Sequence, residues 1–484
     1  MKRFVAVQKV LGLLLMLFSV TMLPPAFVAL LYGDGAGMPF VDAFAVILGI
    51  GALIWLPVAR SSQELRLRDG FLVVVLFWVV LGVSGALPFW LSPVPDLSLT
   101  DSVFESLSGL TTTGATVILG IDDLPHSMLW YRQQLQWLGG MGIIVLAVAV
   151  LPMLGVGGMQ LYRAETPGPM KDAKLTPRIT ETAKALWYIY LSLTIACALC
   201  YWFAGMSAFD AIGHAFSTVA IGGFSTHDAS IGYWDSTPIE MIAVVFMLLS
   251  GVNFALHFVA WRRLDPLVYA KDSEFKFYLF LMVVATIMVT MTLFYTNTYI
   301  DWEESFTKAL FQVVSIGTTT GFTTAQFYFW PPFTEILLLF LAFVGGCAGS
   351  TGGGIKVIRF LLLIKQGLRE IGLLIHPSSQ LPVRVGGKVV NHRIVDAVWG
   401  FFSLYVAAFV FMYLALAATG LDLITSFSAV AACINNLGPG LATVGEHYYD
   451  MHDTGIWILC FAMLLGRLEI FTLLVLLTPA FWRR

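Results

Sequence analysis

The segment Thr319-Thr-Gly-Phe-Thr-Thr324 is a short polar stretch with one glycine, set between two apolar parts of the chain. Three related strings recur elsewhere: Thr111-Thr-Thr-Gly-Ala-Thr116, Ile221-Gly-Gly-Phe-Ser-Thr226 and Asn436-Leu-Gly-Pro-Gly440. We number the strings 1 to 4 in chain order, so that the first quoted is string 3. Their common glycines are separated by 109, 98 and 117 residues, at Gly114, Gly223, Gly321 and Gly438. This spacing predicts four repeats of one structural unit.

The composition places the chain in a membrane. Of its 484 residues, 58% are hydrophobic and only 12% are charged, whereas about a quarter of the residues of a soluble domain are charged. We therefore predict an all-α polytopic membrane protein in contact with lipid. Nucleic acid is not an expected partner, because no basic tract is interleaved with aromatic residues.

Apolar stretches of about 20 residues predict the membrane-spanning helices. Ten such spans lie at roughly 8–32, 40–59, 70–92, 128–155, 182–206, 238–261, 276–299, 333–365, 393–419 and 454–481. Four shorter segments, at about 101–112, 208–220, 303–318 and 423–435, are expected to enter the membrane and return. Each of these re-entrant segments leads into one of the strings.

The distribution of charge supports this topology. With the N-terminus in the cytoplasm and the re-entrant segments not counted as crossings, all but three of the 27 Lys and Arg residues fall on the cytoplasmic side. The exceptions are Arg132, Lys308 and Arg467. Acidic residues collect on the outer side, where a negative vestibule would concentrate cations; the alternative is that acids are merely tolerated there. Those that begin the re-entrant segments are expected to cap helices, namely Asp101, Asp210, Asp301 to Glu304 and Asp422.

The strings have the chemistry of an ion pathway. Irregular backbone at membrane depth survives only where it is buried in protein or lines water. A ring of backbone carbonyls can replace the hydration shell of a cation, and glycine permits the φ values that turn successive carbonyls the same way. Threonine adds hydroxyl acceptors in strings 1 and 3, whereas strings 2 and 4 are looser matches.

A glycine-rich run interrupts the predicted span at 333–365. Gly345-Gly-Cys-Ala-Gly-Ser-Thr-Gly-Gly-Gly354 has six glycines in ten residues, and each costs a helix roughly 1 kcal/mol relative to alanine. We predict a loop at mid-membrane, named here the glycine loop, that crosses below string 3 as a gate. A phosphate-binding loop is the alternative, but Ile355 precedes Lys356 and Val357 follows it, so the G-x-x-x-x-G-K-[ST] pattern fails.

Arg467 lies inside the last predicted span, where a charge is costly and is usually paired or functional. One interpretation is that its side chain reaches the glycine-loop carbonyls or the water-filled path and helps to set the gate. The other is a purely structural link to the loop. Three further polar residues, His214, His257 and Asn253, are expected to be packed or hydrogen-bonded within helices.

These motifs together resemble the bacterial TrkH proteins of the TrkH/KtrB/HKT superfamily of potassium transporters. The resemblance rests on Leu138-Gly-Gly-Met-Gly-Ile143, Gly222-Gly-Phe-Ser-Thr-His227, the glycine loop, Asn435-Asn-Leu-Gly-Pro-Gly440 and Gly466-Arg-Leu-Glu469. It implies a transporter rather than an enzyme, with K⁺ as the transported ion and no cofactor. It also implies a homodimer in the bacterial inner membrane and a cytosolic TrkA-like regulatory subunit that binds nucleotides. Coupling of K⁺ uptake to Na⁺ or H⁺ remains an alternative.

The resemblance also implies which residues line the path. Its filter positions correspond to Thr112, Thr113, Gly114, Ile221, Gly222, Gly223, Thr319, Thr320, Gly321, Asn436, Leu437 and Gly438. Its gate corresponds to Gly345, Gly346, Gly349, Gly352, Gly353, Gly354 and Arg467.

The organisation predicted is an N-terminal helix pair followed by four pore repeats. The helix pair covers 1–67, and the repeats cover 68–165, 166–265, 266–392 and 393–484, with a broken second helix and a cytoplasmic linker in the third.

Overall fold

The computed structural model describes residues 4–61, 63, 67–142, 179–468 and 470–483. Nearly all of these residues that form regular structure are helical, which confirms the predicted all-α class. Six helical stretches are long and apolar enough to cross a membrane, and two further pairs of bent helices would bring the number to eight. Part of the predicted span at 128–155, its residues 143–155, lies outside the described residues, as does the predicted repeat boundary at 165–166.

The N-terminal pair is built from three helices. These are α1 (Val5–Val20), α2 (Leu23–Tyr32) and α3 (Met38–Trp55). Helices α1 and α2 together form one apolar stretch, and α3 packs against it. A methyl group on Gly12 would lie 2.8 Å from the backbone oxygen of Gly51. The two backbones approach this closely because small residues permit tight helix packing in a membrane.

Four repeats follow, each with a long first helix, a short helix, a string and a second helix. Repeat 1 contains α4 (Leu67–Gly85), α5 (Leu87–Leu91), α6 (Leu99–Leu110) and α7 (His126–Gly140). Repeat 2 contains α8 (Ile179–Phe203), α9 (Ala208–Ala220), α10 (Thr237–Ser250) and α11 (Phe254–Arg263).

Repeat 3 is extended by a linker that follows its last long helix. It contains α12 (Leu267–Lys271), α13 (Ser273–Tyr295), α14 (Trp302–Gly317), α15 (Pro332–Val344), α16 (Val357–Ile375) and a hairpin of β1 (Arg384–Val385) with β2 (Lys388–Val389). The hairpin is antiparallel, with Arg384 opposite Val389. Repeat 4 contains α17 (His392–Ala417), α18 (Leu423–Ile434), α19 (Asp453–Arg467), α20 (Phe471–Leu477) and α21 (Pro479–Trp482).

The four short helices α6, α9, α14 and α18 coincide with the four predicted re-entrant segments. The second helices differ more from prediction. The break expected at the glycine loop is present between α15 and α16, but the spans predicted as continuous at 238–261 and 454–481 are bent, by 93° and 116°. At the first bend a new helix begins after Asn253. The Oδ1 of Asn253 accepts the backbone N–H of Ala255 at 2.8 Å and caps α11.

The prediction that acids cap the short helices is right for one helix and wrong for two. Asp422 caps α18, with Oδ2 accepting the N–H of Thr425 at 3.0 Å. In α6 and α9 the caps are serines instead, since Ser98 and Ser207 accept the N–H groups of Asp101 and Asp210. These two aspartates lie in the first turn, where the positive end of the helix dipole favours them. In α14, Asp301 takes the cap position without a side-chain hydrogen bond.

Candidate ion pathway

All four strings have the same backbone conformation. In each, the common glycine has a φ between 81° and 97°, and the residue two positions earlier has a φ between 53° and 68°. Only glycine takes this left-handed region without cost. The non-glycine residues held there are Thr112, Ile221, Thr319 and Asn436.

The conformation begins where each short helix ends. The residue before each glycine donates its N–H to the carbonyl five positions back, at 2.7–2.8 Å. This bond and the preceding left-handed residue form a Schellman-type helix end. The four donor–acceptor pairs are Thr113–Ser108, Gly222–Ser217, Thr320–Ser315 and Leu437–Ala432. The repeats therefore share a local structure although their sequences differ.

The strings close into a ring in chain order. A methyl group on Gly114 would overlap the carbonyl oxygen of Gly222, which belongs to string 2. The same contact, between the glycine of one string and a carbonyl of the next, joins string 2 to string 3, string 3 to string 4, and string 4 to string 1. The remaining pairs are Gly223 with Thr320, Gly321 with Leu437, and Gly438 with Thr113. Each glycine thus faces the carbonyl of the residue before the next glycine, and no side chain fits at any of the four positions.

A cavity of about 440 Å³ opens on one side of this ring. All four common glycines line it, together with Asp228, Glu446 and Arg132. Two acidic residues thus lie at the cavity wall, while Arg132 is paired with Glu105 at 2.8 Å.

Strings 1 and 3, which have the predicted threonine hydroxyls, differ in structure from strings 2 and 4. In string 1 the hydroxyls of Thr111 and Thr113 bond each other at 2.7 Å, and in string 3 those of Thr318 and Thr320 do the same at 2.7 Å. String 4 has no such hydroxyl pair. Its Asn436 side-chain amide instead bonds string 1, with Nδ2 donating to the Thr113 hydroxyl at 3.0 Å.

String 2 is supported from repeat 1. Gln136 Nε2 donates to the carbonyl of Gly222 at 2.6 Å, and its Oε1 accepts the N–H of Phe224 at 3.0 Å. The Gly222 oxygen therefore already has one partner, although a carbonyl has a second lone pair.

Polar side chains on the short helices brace the strings, and sequence reasoning missed this role. Nine positions before the common glycine stand Glu105, His214 and Gln312, all with no exposed surface. Glu105 accepts from Val117 N at 3.2 Å, His214 bonds the hydroxyl of Ser225 at 2.8 Å, and Gln312 donates to the carbonyl of Ala325 at 3.0 Å. In repeat 4 the hydroxyl of Ser428 accepts from Leu441 N at 2.9 Å. The signal available in the sequence was a polar residue at one fixed offset in three of the four repeats.

The glycine loop lies directly beneath strings 2, 3 and 4. The Thr351 hydroxyl donates to the carbonyl of Val219, just before string 2, at 3.0 Å. The N–H of Gly353 donates to the hydroxyl of Thr319 in string 3 at 2.7 Å. A methyl group on Gly353 would overlap the carbonyl of Asn435, just before string 4. Of the predicted gate glycines, Gly345, Gly349 and Gly354 have φ between 70° and 77°.

The loop is also bound to its surroundings at both ends. Cys347 N donates to the carbonyl of Gly251 at 2.9 Å, and the carboxylate of Glu274 accepts from Ala348 N at 2.7 Å and from Ile358 N at 3.2 Å. Lys356 Nζ donates to the carbonyl of Gly352. These N–H groups and this lysine already serve the protein's own backbone and carboxylate, which counts against the phosphate-binding alternative. Glu274 was not identified from the sequence.

Arg467 completes the contact beneath string 1. Its Nη1 donates to the carbonyl of Thr351 in the glycine loop at 3.2 Å, and its Nη2 donates to the carbonyl of Gly139 at 2.6 Å. A methyl group on Gly139 would overlap the carbonyl of Leu110, the last residue of α6. Arg467 therefore contacts one glycine-loop carbonyl, a contact that both the gate and the structural-link interpretation predict. Through Arg467 the loop is connected to all four repeats.

All three exceptions to the positive-inside pattern have internal partners. Arg132 pairs with Glu105 at 2.8 Å, and Lys308 pairs with Glu240 at 2.7 Å. Arg467 binds backbone carbonyls. Each cation departs from the topological rule because a specific partner compensates its transfer from water.

The sequence model of the TrkH family, described as a cation transport protein, matches residues 36–484. The chain belongs to the TrkH family. It is 60% identical over 483 residues to the Trk system potassium uptake protein TrkH of Vibrio parahaemolyticus, which covers 99% of this chain and 100% of that relative. It is 56% identical over 480 residues to the protein of the same name from Escherichia coli, with 99% of both chains covered.

A solved TrkH-family structure has the same fold. The crystal structure of the potassium transporter TrkH from Vibrio parahaemolyticus matches with a TM-score of 0.91 at 57% sequence identity. The match covers 99% of this chain and 100% of that chain. The fold and family expected from the resemblance are thus confirmed.

Proposed function

We propose that this chain takes up K⁺ across the bacterial inner membrane through a pore formed by its four repeats. The closed ring of strings carries the proposal. Four glycines face four backbone carbonyls in cyclic order, which is the arrangement needed to offer a dehydrated cation several equivalent oxygens. The names of the relatives, potassium uptake proteins, support K⁺ as the ion.

The twelve predicted filter positions form the narrow part of this pore in our proposal. Each string contributes three consecutive residues that end at the common glycine. The short helices end at the ring, so the negative ends of their dipoles favour a cation there. The cavity with Asp228 and Glu446 is then the outer vestibule.

The glycine loop and Arg467 form the closed gate. The loop contacts the ends of strings 2, 3 and 4 from below, and Arg467 links it to repeat 1. A guanidinium at the lower mouth of the filter also repels a cation. Opening then requires the loop and Arg467 to leave these carbonyls.

The topology and partners follow from the charge distribution and the family. The basic residues put both termini in the cytoplasm. In this topology the linker with β1 and β2 lies on that side, in reach of a TrkA-like nucleotide-binding regulatory subunit. We further propose a homodimer with one pore in each subunit.

Flux into liposomes tests the ion and the ring together. The purified chain should take up radioactive Rb⁺, with competition by K⁺ and little by Na⁺. Gly223→Ala should lower this preference, because its methyl group overlaps the carbonyl of Thr320 at a φ of 81°. Gly367→Ala is the matched control, since a methyl group there meets nothing within 4 Å. Equal Rb⁺ and Na⁺ flux in the unaltered chain would refute the filter.

A Na⁺- or H⁺-coupled K⁺ symporter is the second candidate. Imposed Na⁺ and pH gradients distinguish the two, because coupled transport would concentrate Rb⁺ against its own gradient. Passive flux would only equilibrate it.

A further inference from the structure

Arg132 and Glu105 form a buried ion pair beside the ring of strings. Their side chains are 1% and 0% exposed, and Arg132 Nε lies 2.8 Å from Glu105 Oε1. Such a pair is weak evidence for stability, because desolvation of the two charges offsets their attraction. Its position next to the strings points to a role other than stability.

The guanidinium joins two strings. Its Nη2 donates to the hydroxyl of Thr116 in string 1 at 3.2 Å, and its Nη1 donates to the carbonyl of Ser225 in string 2 at 3.1 Å. The guanidinium of Arg132 also lies over the ring of Phe224, with 4.2 Å between Cζ and the ring centroid. Three nitrogens thus hold three groups in one fixed geometry.

Glu105 extends the same network along string 1. Its carboxylate accepts from the Thr116 hydroxyl at 3.0 Å and from Val117 N at 3.2 Å. String 1 is therefore held on one side by α6 and on the other by Arg132, which belongs to α7. The position equivalent to Glu105 holds His214 in repeat 2 and Gln312 in repeat 3, and neither repeat has an arginine joined to it in the described structure.

We propose that Arg132 is a positioning residue that sets the ion selectivity of the pore by fixing the spacing between strings 1 and 2. The inference rests on the proposed filter. A planar fork of five N–H donors can hold two strings and a carboxylate at once, whereas a lysine ammonium on a flexible stem cannot keep the same geometry. Small cations are distinguished by the distance and number of oxygens, so a loosened interval between two strings changes which cation fits.

Two variants separate geometry from charge. Arg132→Lys keeps the positive charge opposite Glu105 but loses the fork. The double variant Glu105→Gln with Arg132→Gln removes both charges and leaves no unpaired buried ion, so it avoids the main risk of misfolding. Each is reconstituted in liposomes, and the ratio of Rb⁺ to Na⁺ influx is measured. Size-exclusion profile and melting temperature monitor folding.

The pair Lys308–Glu240 is the matched control. Its atoms are 2.7 Å apart and its side chains 16% and 3% exposed. It joins α10 to α14, and neither side chain makes a hydrogen bond to a string within the described structure. Lys308→Gln with Glu240→Gln should change the melting temperature without changing the influx ratio.

We expect both Arg132 variants to transport Rb⁺ with an influx ratio lowered about tenfold, the change that accompanies loss of one charge-assisted hydrogen bond. A folded Arg132→Lys protein with the ratio of the unaltered chain would refute the positioning role. So would an equal fall in the Lys308 and Glu240 control. If the unaltered chain itself does not prefer Rb⁺, the proposed filter fails instead, and the two failures are distinguishable.

Discussion

Arg467 binds the carbonyl of Thr351 from a helix 116 residues further along the chain, with 3.2 Å between Nη1 and the oxygen. Thr351 in turn donates its hydroxyl to the carbonyl of Val219 at the end of α9. One side chain from repeat 4 therefore holds a loop of repeat 3 against repeat 2. Its second hydrogen bond, to Gly139, adds repeat 1.

Replacement of Arg467 should favour the open pore. Arg467→Gln loses the charge and at least one of two charge-assisted hydrogen bonds, each of which contributes about 1.5–3 kcal/mol. If these contacts exist only in the closed state, basal Rb⁺ influx in liposomes should rise by about tenfold or more. Unchanged influx in a folded variant would contradict the gate.

A larger side chain at Gly353 tests the same gate by steric means. Gly353→Ala places a methyl group against the carbonyl of Asn435, and such overpacking typically costs about 1–3 kcal/mol. The loop should withdraw from string 4, so basal Rb⁺ influx should increase without loss of selectivity. Gly367→Ala, where the space is open, should behave like the unaltered chain. A rise of the same size in both variants would count against the assignment.

Glu274 is expected to stabilise the closed loop from its other side. The carboxylate accepts two backbone N–H groups, from Ala348 and Ile358. Glu274→Ala removes both acceptors and should raise basal Rb⁺ influx. Asp272→Asn is the control, because an asparagine can keep the cap of α13, where the side chain accepts from Phe275 N at 2.8 Å. It tests whether loss of a neighbouring charge alone, without loss of the two loop hydrogen bonds, changes the influx. If the two variants show the same influx, Glu274 has no part in gating.

The cap of α18 should make stability depend on pH in acid. The pKa of Asp422 is lowered by the hydrogen bonds from the side chain and N–H of Thr425. A carboxyl whose pKa falls on folding stabilises the protein above its unfolded value, near 4, and this contribution is lost as the pH drops through the folded value. Asp422→Asn keeps a good cap that does not titrate.

Melting temperatures of the detergent-solubilised protein between neutral pH and pH 3 provide the measurement. The difference between the unaltered chain and Asp422→Asn should shrink as the pH falls. A constant difference over the whole range would show that ionisation of Asp422 does not contribute. The effect is small because the group is exposed to solvent.

Much of this architecture is readable from local pattern. The four short helices could be predicted because each string follows an amphiphilic segment too short to span a membrane. The glycine loop could be predicted because no helix tolerates that density of glycine. The bends between α10 and α11 and between α19 and α20 could not, since a mostly apolar run does not reveal where a helix turns.

The contacts of single residues were harder to foresee. Acids favour helix caps, which predicts Asp101 and Asp210 as caps, yet serines three residues earlier accept the hydrogen bonds. From the sequence, Arg132 is an exception to the positive-inside pattern, and nothing assigns it Glu105 as a partner. Their pairing joins residues 27 positions apart across two helices, so neither residue type nor spacing reveals it.

Spacing, glycine content and hydropathy along the chain are enough to predict the repeat number, the re-entrant segments, the glycine loop and the membrane class. Which carbonyl each glycine faces, and which groups Arg467 contacts, depend instead on tertiary packing. Arg467 and Gly139 are 328 residues apart, and only the packing of the four repeats around one axis brings them within a hydrogen bond.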